Sequence, residues 1–249
     1  MFLLIFIVCV FFFVNITIMN YIQGVWICCF LVCGPVTFIG YATLLKYVPA
    51  QWRSRPFQSS APPISQPSQQ EIEKRVIEYV CYVFSTCAAL LALYLCPGAP
   101  AASGPVWSIC QLVLLALQAE FFFYGMHRLL HSVYLYRSVH SVHHSVRAPT
   151  AFAALYAHPV ELLLGNFLPL GLPLIILRPD LLVCCIWLML ATTGTCNEHA
   201  GFAVLWWPGK RAAAHDIHHE IGHGNYSFLG VADFVFGTAM PEHKAVKLK

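Results

Sequence analysis

The chain has 249 residues and a net charge of only +3, and its composition is strongly apolar. Hydrophobic residues occupy 59% of the positions and charged residues 10%, whereas a soluble domain carries roughly 25% charged residues. This composition excludes a soluble globular domain. The basic residues do not cluster, so a nucleic-acid-binding protein is excluded as well.

Apolar runs of membrane-spanning length fill the first half of the chain. No charged residue precedes Lys46, and crossing a bilayer takes roughly 20 apolar residues. Polar breaks divide the apolar sequence into four predicted spans, at 2–19, 25–45, 76–96 and about 105–126. We therefore predict an all-α integral membrane protein with about four transmembrane helices.

The charge pattern predicts how these spans are oriented. Residues 1–45 are predicted to form a transmembrane hairpin whose first span is an uncleaved anchor, because no basic segment precedes it. Residues 46–75 are rich in Pro, Ser and Gln and carry five basic residues, whereas the connections 20–24 and 97–104 carry no charge. Basic loops stay in the cytosol. Residues 46–75 are therefore predicted to form a polar cytosolic linker, and the chain that follows the fourth span to emerge on the same side.

Two later apolar stretches, 159–177 and 181–196, contain or adjoin prolines at 169, 173 and 179. Periodicity does not distinguish a re-entrant hairpin from helices that lie partly in the membrane. Both interpretations stay open for this region.

All twelve histidines follow residue 126, and eight of them repeat a ligand-like spacing. Side chains three or four residues apart share one face of a helix, and imidazole is a ligand of iron, copper, zinc and nickel. Eight imidazoles are too many for one ion but suit two. The sequence therefore predicts a di-metal site in a cytosolic helical cap, with these ligands: His127, His131, His140, His143, His144, His215, His218 and His219.

Residues of about 115–240 resemble the fatty acid hydroxylase/sterol desaturase superfamily. The three histidine patterns HRLLH, HSVHH and HDIHH are those of that family, and four shorter matches favour the C-4 methylsterol oxidases and fatty acid hydroxylase domain-containing proteins: YAHPVE (156–161), EHAGF (198–202), NY (225–226) and FGT (236–238). The resemblance identifies 76–249 as a fatty acid hydroxylase-type membrane domain.

The resemblance implies an O2-dependent, non-haem di-iron oxygenase of the endoplasmic reticulum membrane. Such an enzyme hydroxylates an unactivated C–H bond of a lipid and receives electrons from cytochrome b5 and its reductase or a similar donor. A sterol, most simply a 4-methylsterol, is the first expectation for the substrate, and a fatty-acyl or sphingoid lipid is the alternative.

The resemblance also adds residues at the margin of the site. His199 and His158 match family positions and are candidate further ligands. Metal-bound histidines usually donate their second N–H to a carboxylate or carbonyl, so Glu161, Glu198 and Asp216 are candidate partners of the ligand histidines.

Two other classes of metal protein are compatible with part of the pattern. Residues His219 to His223 read HEIGH, which matches the H-E-x-x-H signature of zinc proteases, but two glycines lie in the helix that this signature needs. A metal transporter also uses paired histidines, although here they follow a span instead of interrupting several. An intramembrane protease leaves His127 to His144 unused.

Overall fold

The computed structural model describes residues 21–48, 67–147, 149–202, 204 and 209–240. The predicted first span at 2–19 and most of the predicted linker lie outside these residues. Within them the chain forms helices joined by turns, with no β-strand. This confirms the predicted all-α class for the described part of the chain.

In the part of the chain that the structure describes, five helices are long and apolar enough to cross a membrane. Three of them correspond to the predicted spans of this region: α1 (Tyr21–Lys46), α2 (Gln69–Leu95) and α3 (Pro105–Leu130). The other two are α5 (Pro159–Leu177) and α6 (Leu181–Glu198), the stretches that periodicity left undecided. The length and composition of each suffice for a full crossing of a membrane.

Helix α2 begins earlier than predicted, inside the segment that the sequence had assigned to the linker. Ser68 caps the helix by accepting a hydrogen bond from Glu71 N, and Ile72 and Val76 are buried on one face of the first turns. An amphipathic turn of this kind contains too few apolar residues to be recognised from the sequence as part of a span.

Single π-helical turns interrupt three of the long helices: Val32–Val36, Val80–Phe84 and Leu162–Phe167. The first contains Pro35, which has no backbone N–H to donate and so breaks the regular hydrogen-bond ladder. Just after it, Thr37 Oγ1 donates a hydrogen bond to the Val32 carbonyl at 2.9 Å. Such turns often lie at functional sites, and the third begins directly after Glu161.

Contacts at the helix ends show that successive long helices run antiparallel. At one end, Lys46 pairs with Glu73 at 2.8 Å, and Tyr41 donates to Asn197 Oδ1 at 2.9 Å. At the other end, Ser103 N donates to Asp180 Oδ2 at 2.9 Å. The first end therefore carries the last turns of α1, α3 and α6 and the first turns of α2 and α5.

The cap at the first end consists of short elements. These are α4 (Val133–Ser138), two 3₁₀ helices (His140–Ser145 and Ala151–Leu155), α7 (Gly209–Ile221) and α8 (Val231–Val235). Phe38 of α1 meets Phe152 of the second 3₁₀ helix edge to face, with ring centroids 6.3 Å apart. The cap thus rests on the ends of the long helices, and it carries most of the histidines.

Asp180 joins two connections at the end of the bundle opposite the cap, and we expect its removal to weaken the fold. Its carboxylate accepts hydrogen bonds from Val183 N, as the cap of α6, and from Ser103 N. Asp180→Ala should lower the free energy of unfolding by about 1–3 kcal/mol, from the lost cap and a stranded N–H. Thermal unfolding in detergent measures this, and Asp180→Asn, which keeps an acceptor oxygen, should recover much of the loss. Equal stability of Asp180→Ala and the wild type would contradict it.

Candidate metal centre

The first histidine pair lies where helix α3 leaves the bundle. His127 is in the last turn of α3, and His131 caps its C-terminus. His127 Nδ1 donates to the backbone carbonyl of Tyr226 at 2.7 Å. The pair therefore projects from the end of a rigid helix, and one ring is already fixed by a distant part of the chain.

We call the patterns HRLLH, HSVHH and HDIHH the first, second and third histidine boxes. The second box differs from the predicted α-helical face. His140–Ser145 forms a 3₁₀ helix, which has about 3 residues per turn. His140 and His143, three residues apart, have nearly parallel rings with centroids 5.6 Å apart. All three box histidines are buried, so the tighter helix still directs them inward.

The third box lies on α7, as its spacing predicted. His215, His218 and His219 are all buried on this helix. The helix ends at Ile221, because Gly222 has a φ of +79°, a left-handed conformation that glycine adopts without strain. His223 lies beyond this end and is exposed. The HEIGH stretch is therefore not one helical face, and the zinc-protease alternative is wrong.

Nine imidazoles come together in two groups, in each of which the candidate ligand atoms lie within 4.8 Å of one another. The first group comprises His127, His131, His140, His144 and His218, and the second comprises His143, His199, His215 and His219. Each group takes histidines from the second and third boxes. The eight box histidines and His199 thus converge, and their role as ligands remains a prediction.

His158 joins neither group. Its Nδ1 accepts a hydrogen bond from Val160 N at 3.2 Å and so caps the start of α5. His158 therefore lies at the start of α5, near Glu161 in the chain, and outside the converging rings.

Backbone carbonyls fix the orientation of five of the nine rings. A carbonyl oxygen only accepts, so the Nδ1 atom facing it must carry the proton and Nε2 must carry the lone pair. The five rings and their acceptors are His127 with Tyr226, His143 with Tyr156, His199 with Thr195, His218 with Gly224, and His219 with Val146.

The Nε2 atoms then face one another across the interior of each group. His143 Nε2 and His199 Nε2 lie 3.3 Å apart, and both bear lone pairs because both Nδ1 atoms donate. His131 Nε2 lies 3.1 Å from His218 Nε2 and 3.0 Å from His140 Nε2, and one ring proton cannot serve both. Facing lone pairs repel, and a cation bound between them removes the repulsion. The donor set therefore fits two metal ions of the imidazole-binding class.

Burial favours the neutral, ligating form of these rings. The pKa values of His143, His215 and His218 are lowered well below the ordinary value, chiefly by desolvation. The pKa of His199 is lowered to about 4, again mainly by burial. Lone pairs are thus available at neutral pH without displacing a proton.

The three predicted carboxylates have different places. Glu161 Oε1 lies 2.8 Å from His140 Nδ1, the position predicted for a residue that orients a ligand. Glu198 is buried and lines the cavity described below, and one of its oxygens has no hydrogen-bond partner in the described part of the chain. Asp216 is buried on α7 but belongs to neither group of converging ligand atoms.

Sequence reasoning missed the residues that hold the segment after α7. Glu120, fully buried in α3, accepts hydrogen bonds from Leu229 N and Ala232 N at 2.8 Å each. Asp233 accepts from Tyr226 N and Ser227 N. These bonds position the Tyr226 carbonyl that orients His127. A carboxylate inside an apolar span usually indicates a function, so the sequence position of Glu120 could have identified it.

A cavity of about 220 Å³ extends from the histidines into the bundle. His127, His140, His143, His199 and His215 line one end of it, together with Glu161 and Glu198. Apolar residues of α3, α5 and α6 line most of the remainder, among them Leu112, Leu170 and Trp187. The histidine groups therefore open toward the part of the protein that the spanning helices form.

The family sequence model for fatty acid hydroxylases matches residues 112–238, which is about half of the chain and includes all the converging histidines. The chain belongs to the fatty acid hydroxylase family. Membership accounts for the three boxes together, and the apolar helices make this family member a multi-pass membrane protein.

Curated proteins similar to this fatty acid hydroxylase family member carry different names. Very-long-chain aldehyde decarbonylase GL1-8 of Oryza sativa subsp. indica is 32% identical over 157 residues, which cover 58% of each chain. Methylsterol monooxygenase 2-1 of Arabidopsis thaliana is 32% identical over 169 residues, covering 58% of this chain and 62% of the relative. Fatty acid hydroxylase domain-containing protein 2 of Homo sapiens is 34% identical over 132 residues, covering 53% and 39%.

The match thus spans about 39% to 62% of the length of these relatives. No solved structure matches the chain.

Loss of one histidine should reduce metal binding in the group to which it belongs. We expect purified wild-type protein to hold two metal ions per chain, and His218→Ala or His219→Ala to hold about one or fewer. His223→Ala removes an exposed histidine outside both groups and should hold two. Metal analysis by mass spectrometry measures the stoichiometry. Two ions retained in both His218→Ala and His219→Ala would contradict the assignment.

Glu120→Leu should loosen the metal centre from a distance. The substitution keeps the side-chain size but strands two N–H groups, each costing about 1–3 kcal/mol. We expect a lower unfolding temperature and faster loss of metal to a chelator, because the support of Tyr226 and His127 weakens. A variant that loses stability but releases metal at the wild-type rate would show that Glu120 serves the fold alone.

Proposed function

We propose that the protein is an O2-dependent oxidoreductase that uses two iron ions to hydroxylate or oxidise an unactivated C–H bond of a lipid. The observation that carries this proposal is the pair of converging imidazole groups at the end of an apolar cavity. Membership in the fatty acid hydroxylase family and similarity to a methylsterol monooxygenase support it.

The two groups of histidines would hold the two ions, one in each group. Iron bound to neutral imidazoles supplies the activation of O2 and the removal of hydrogen from carbon. The backbone carbonyls and Glu161 hold the rings in orientation, and such partners commonly change metal affinity 10- to 100-fold. The apolar wall of the cavity keeps bulk water away from the reacting carbon.

A lipid fits the cavity because its walls belong to helices of membrane-spanning length. A sterol, such as a 4-methylsterol, is our first choice, and the methylsterol monooxygenases among the relatives support it. A fatty-acyl or sphingoid lipid is the second choice, and it is supported by the relatives named for very-long-chain aldehydes.

We further propose that the metal end of the bundle faces the cytosol from the endoplasmic reticulum membrane. Among the described residues, this end carries eight basic residues, whereas the opposite end carries Arg178: Lys46, Lys74, Arg75, Arg128, Arg137, Arg147, Lys210 and Arg211 lie at the metal end. An excess of basic residues marks the cytosolic side. Cytochrome b5 with its reductase, or a similar donor, would supply the electrons at this face.

Lipid profiling of a sterol-oxidase-deficient host tests the activity and the substrate class together. Expression of the wild type should remove accumulated 4-methylsterols, whereas His143→Ala and His218→Ala should reduce removal to the level of the empty host. His223→Ala should remain active. The histidine variants fail because each lacks a ligand of one ion.

The other outcomes of this experiment are also decisive. New hydroxylated acyl or sphingoid lipids, with 4-methylsterols unchanged, would select the second substrate class. Full oxidation by His143→Ala or His218→Ala would contradict the di-iron proposal. Wild-type protein that binds two irons and is supplied with a donor, yet changes no lipid, would contradict the oxygenase activity itself.

A further inference from the structure

A second cavity adjoins the one at the metal centre. It measures about 490 Å³ and is lined by α1, α2, α5 and α6. Four residues line both cavities and so form the wall between them: Asn166, Leu170, Ala191 and Thr195. Two of the four are polar, although the second cavity is otherwise almost entirely apolar.

Asn166 lies in the π-helical turn Leu162–Phe167, five residues beyond Glu161. Its side-chain amide makes no hydrogen bond to any residue that the structure describes, although it is partly buried among apolar side chains. An amide without a partner is unfavourable in such apolar surroundings. Polar residues inside membrane segments are usually functional for this reason.

Thr195 lies across the wall on α6, three residues before Glu198. Its hydroxyl donates to the Ala191 carbonyl at 2.9 Å, which leaves the oxygen lone pairs free to accept. The wall therefore offers N–H donors and a carbonyl from Asn166 and an acceptor from Thr195. At about 1.5 Å per residue, Thr195 is roughly one helical turn from His199 of the second histidine group.

The second cavity reaches the outer surface of the bundle between α2 and α5. Leu90 and Tyr94 of α2 and Leu168 and Ile175 of α5 line it, and all four are exposed. In a membrane this surface meets lipid chains. The cavity thus connects the hydrocarbon region with the wall that contains Asn166.

We propose that Asn166, with Thr195, binds a hydroxyl or carbonyl oxygen of the lipid and so selects which C–H bond faces the metal ions. The inference rests on the proposed oxidation of a lipid and narrows its substrate class. The substrate carries an oxygen within a few bonds of the carbon that is oxidised, and its apolar body occupies the second cavity. Asn166 is then a positioning residue.

Binding of matched probes without turnover tests the inference. The metal-loaded protein in nanodiscs, without O2 or reductant, is titrated with two alcohol–hydrocarbon pairs: 5α-cholestan-3β-ol with 5α-cholestane, and hexadecan-1-ol with hexadecane. The wild type should prefer an alcohol. Asn166→Leu should weaken binding of that alcohol about tenfold, the value of one hydrogen bond, and leave the hydrocarbon within about twofold. Thr195→Val should act in the same direction.

Gln111→Leu is the matched control. Gln111 is a buried amide of α3 whose Oε1 lacks a described partner, but it lines neither cavity. This variant should keep the wild-type preference. If Asn166→Leu does not fold or does not hold two metals, Asn166→Ala takes its place. Equal weakening of alcohol and hydrocarbon, or no preference in the wild type, would overturn the inference.

A second measurement addresses the position of oxidation. With donor and O2 present, Asn166→Leu should give a broader set of positional products from a substrate of the wild type, because the carbon is no longer held. An unchanged product distribution would overturn the positioning role. Alcohol selectivity that depends on Asn166, in a protein that oxidises nothing, would instead overturn the proposed function and leave the binding site standing.

Discussion

Hydrogen bonds from imidazole Nδ1 atoms to backbone carbonyls are the interaction on which the rest of this structure depends. Each one fixes a tautomer, directs Nε2 inward and binds a ring to a different segment of the chain, as His127 does with Tyr226 and His219 with Val146. Facing lone pairs are unfavourable until a cation binds between them. Binding of a metal ion between these rings would therefore be coupled to folding of the cap, because the same hydrogen bonds would support both.

The long helices place this assembly at one end of the bundle. Antiparallel packing brings the last turns of α3 and α6 beside the first turn of α5, which gathers His127, His199 and Glu161. Buried carboxylates then secure the cap. Glu120 reaches from α3 to the backbone before and within α8, and Asp233 ties the segment that contains Tyr226. The rigid part of the protein thus determines the geometry of the irregular part.

Two cavities lead from the histidines toward the membrane, where the proposed substrate would enter. The histidines close one end of an apolar chamber, and a thin wall separates it from a second chamber that opens toward lipid. In a membrane, hydrophobicity alone does not orient a substrate, because the bilayer is as apolar as the protein wall. Orientation has to come from a few polar groups, which gives the amide of Asn166 its significance.

The sequence by itself determined the membrane class, the all-helical fold of the part that the structure describes and which eight histidines would converge, because apolar length and ligand spacing are local properties. It also placed Glu161 beside a box histidine, because the second N–H of such a ring usually meets a carboxylate or a carbonyl. Tertiary structure alone decided the division of the boxes between two groups, the inclusion of His199 and the position of His158 outside them. It also showed that α7 ends at Ile221, before His223, which removed the protease alternative. These outcomes depend on which distant backbone groups meet each ring, and spacing along the chain carries no record of contacts between segments about 100 residues apart, such as that of His127 with Tyr226.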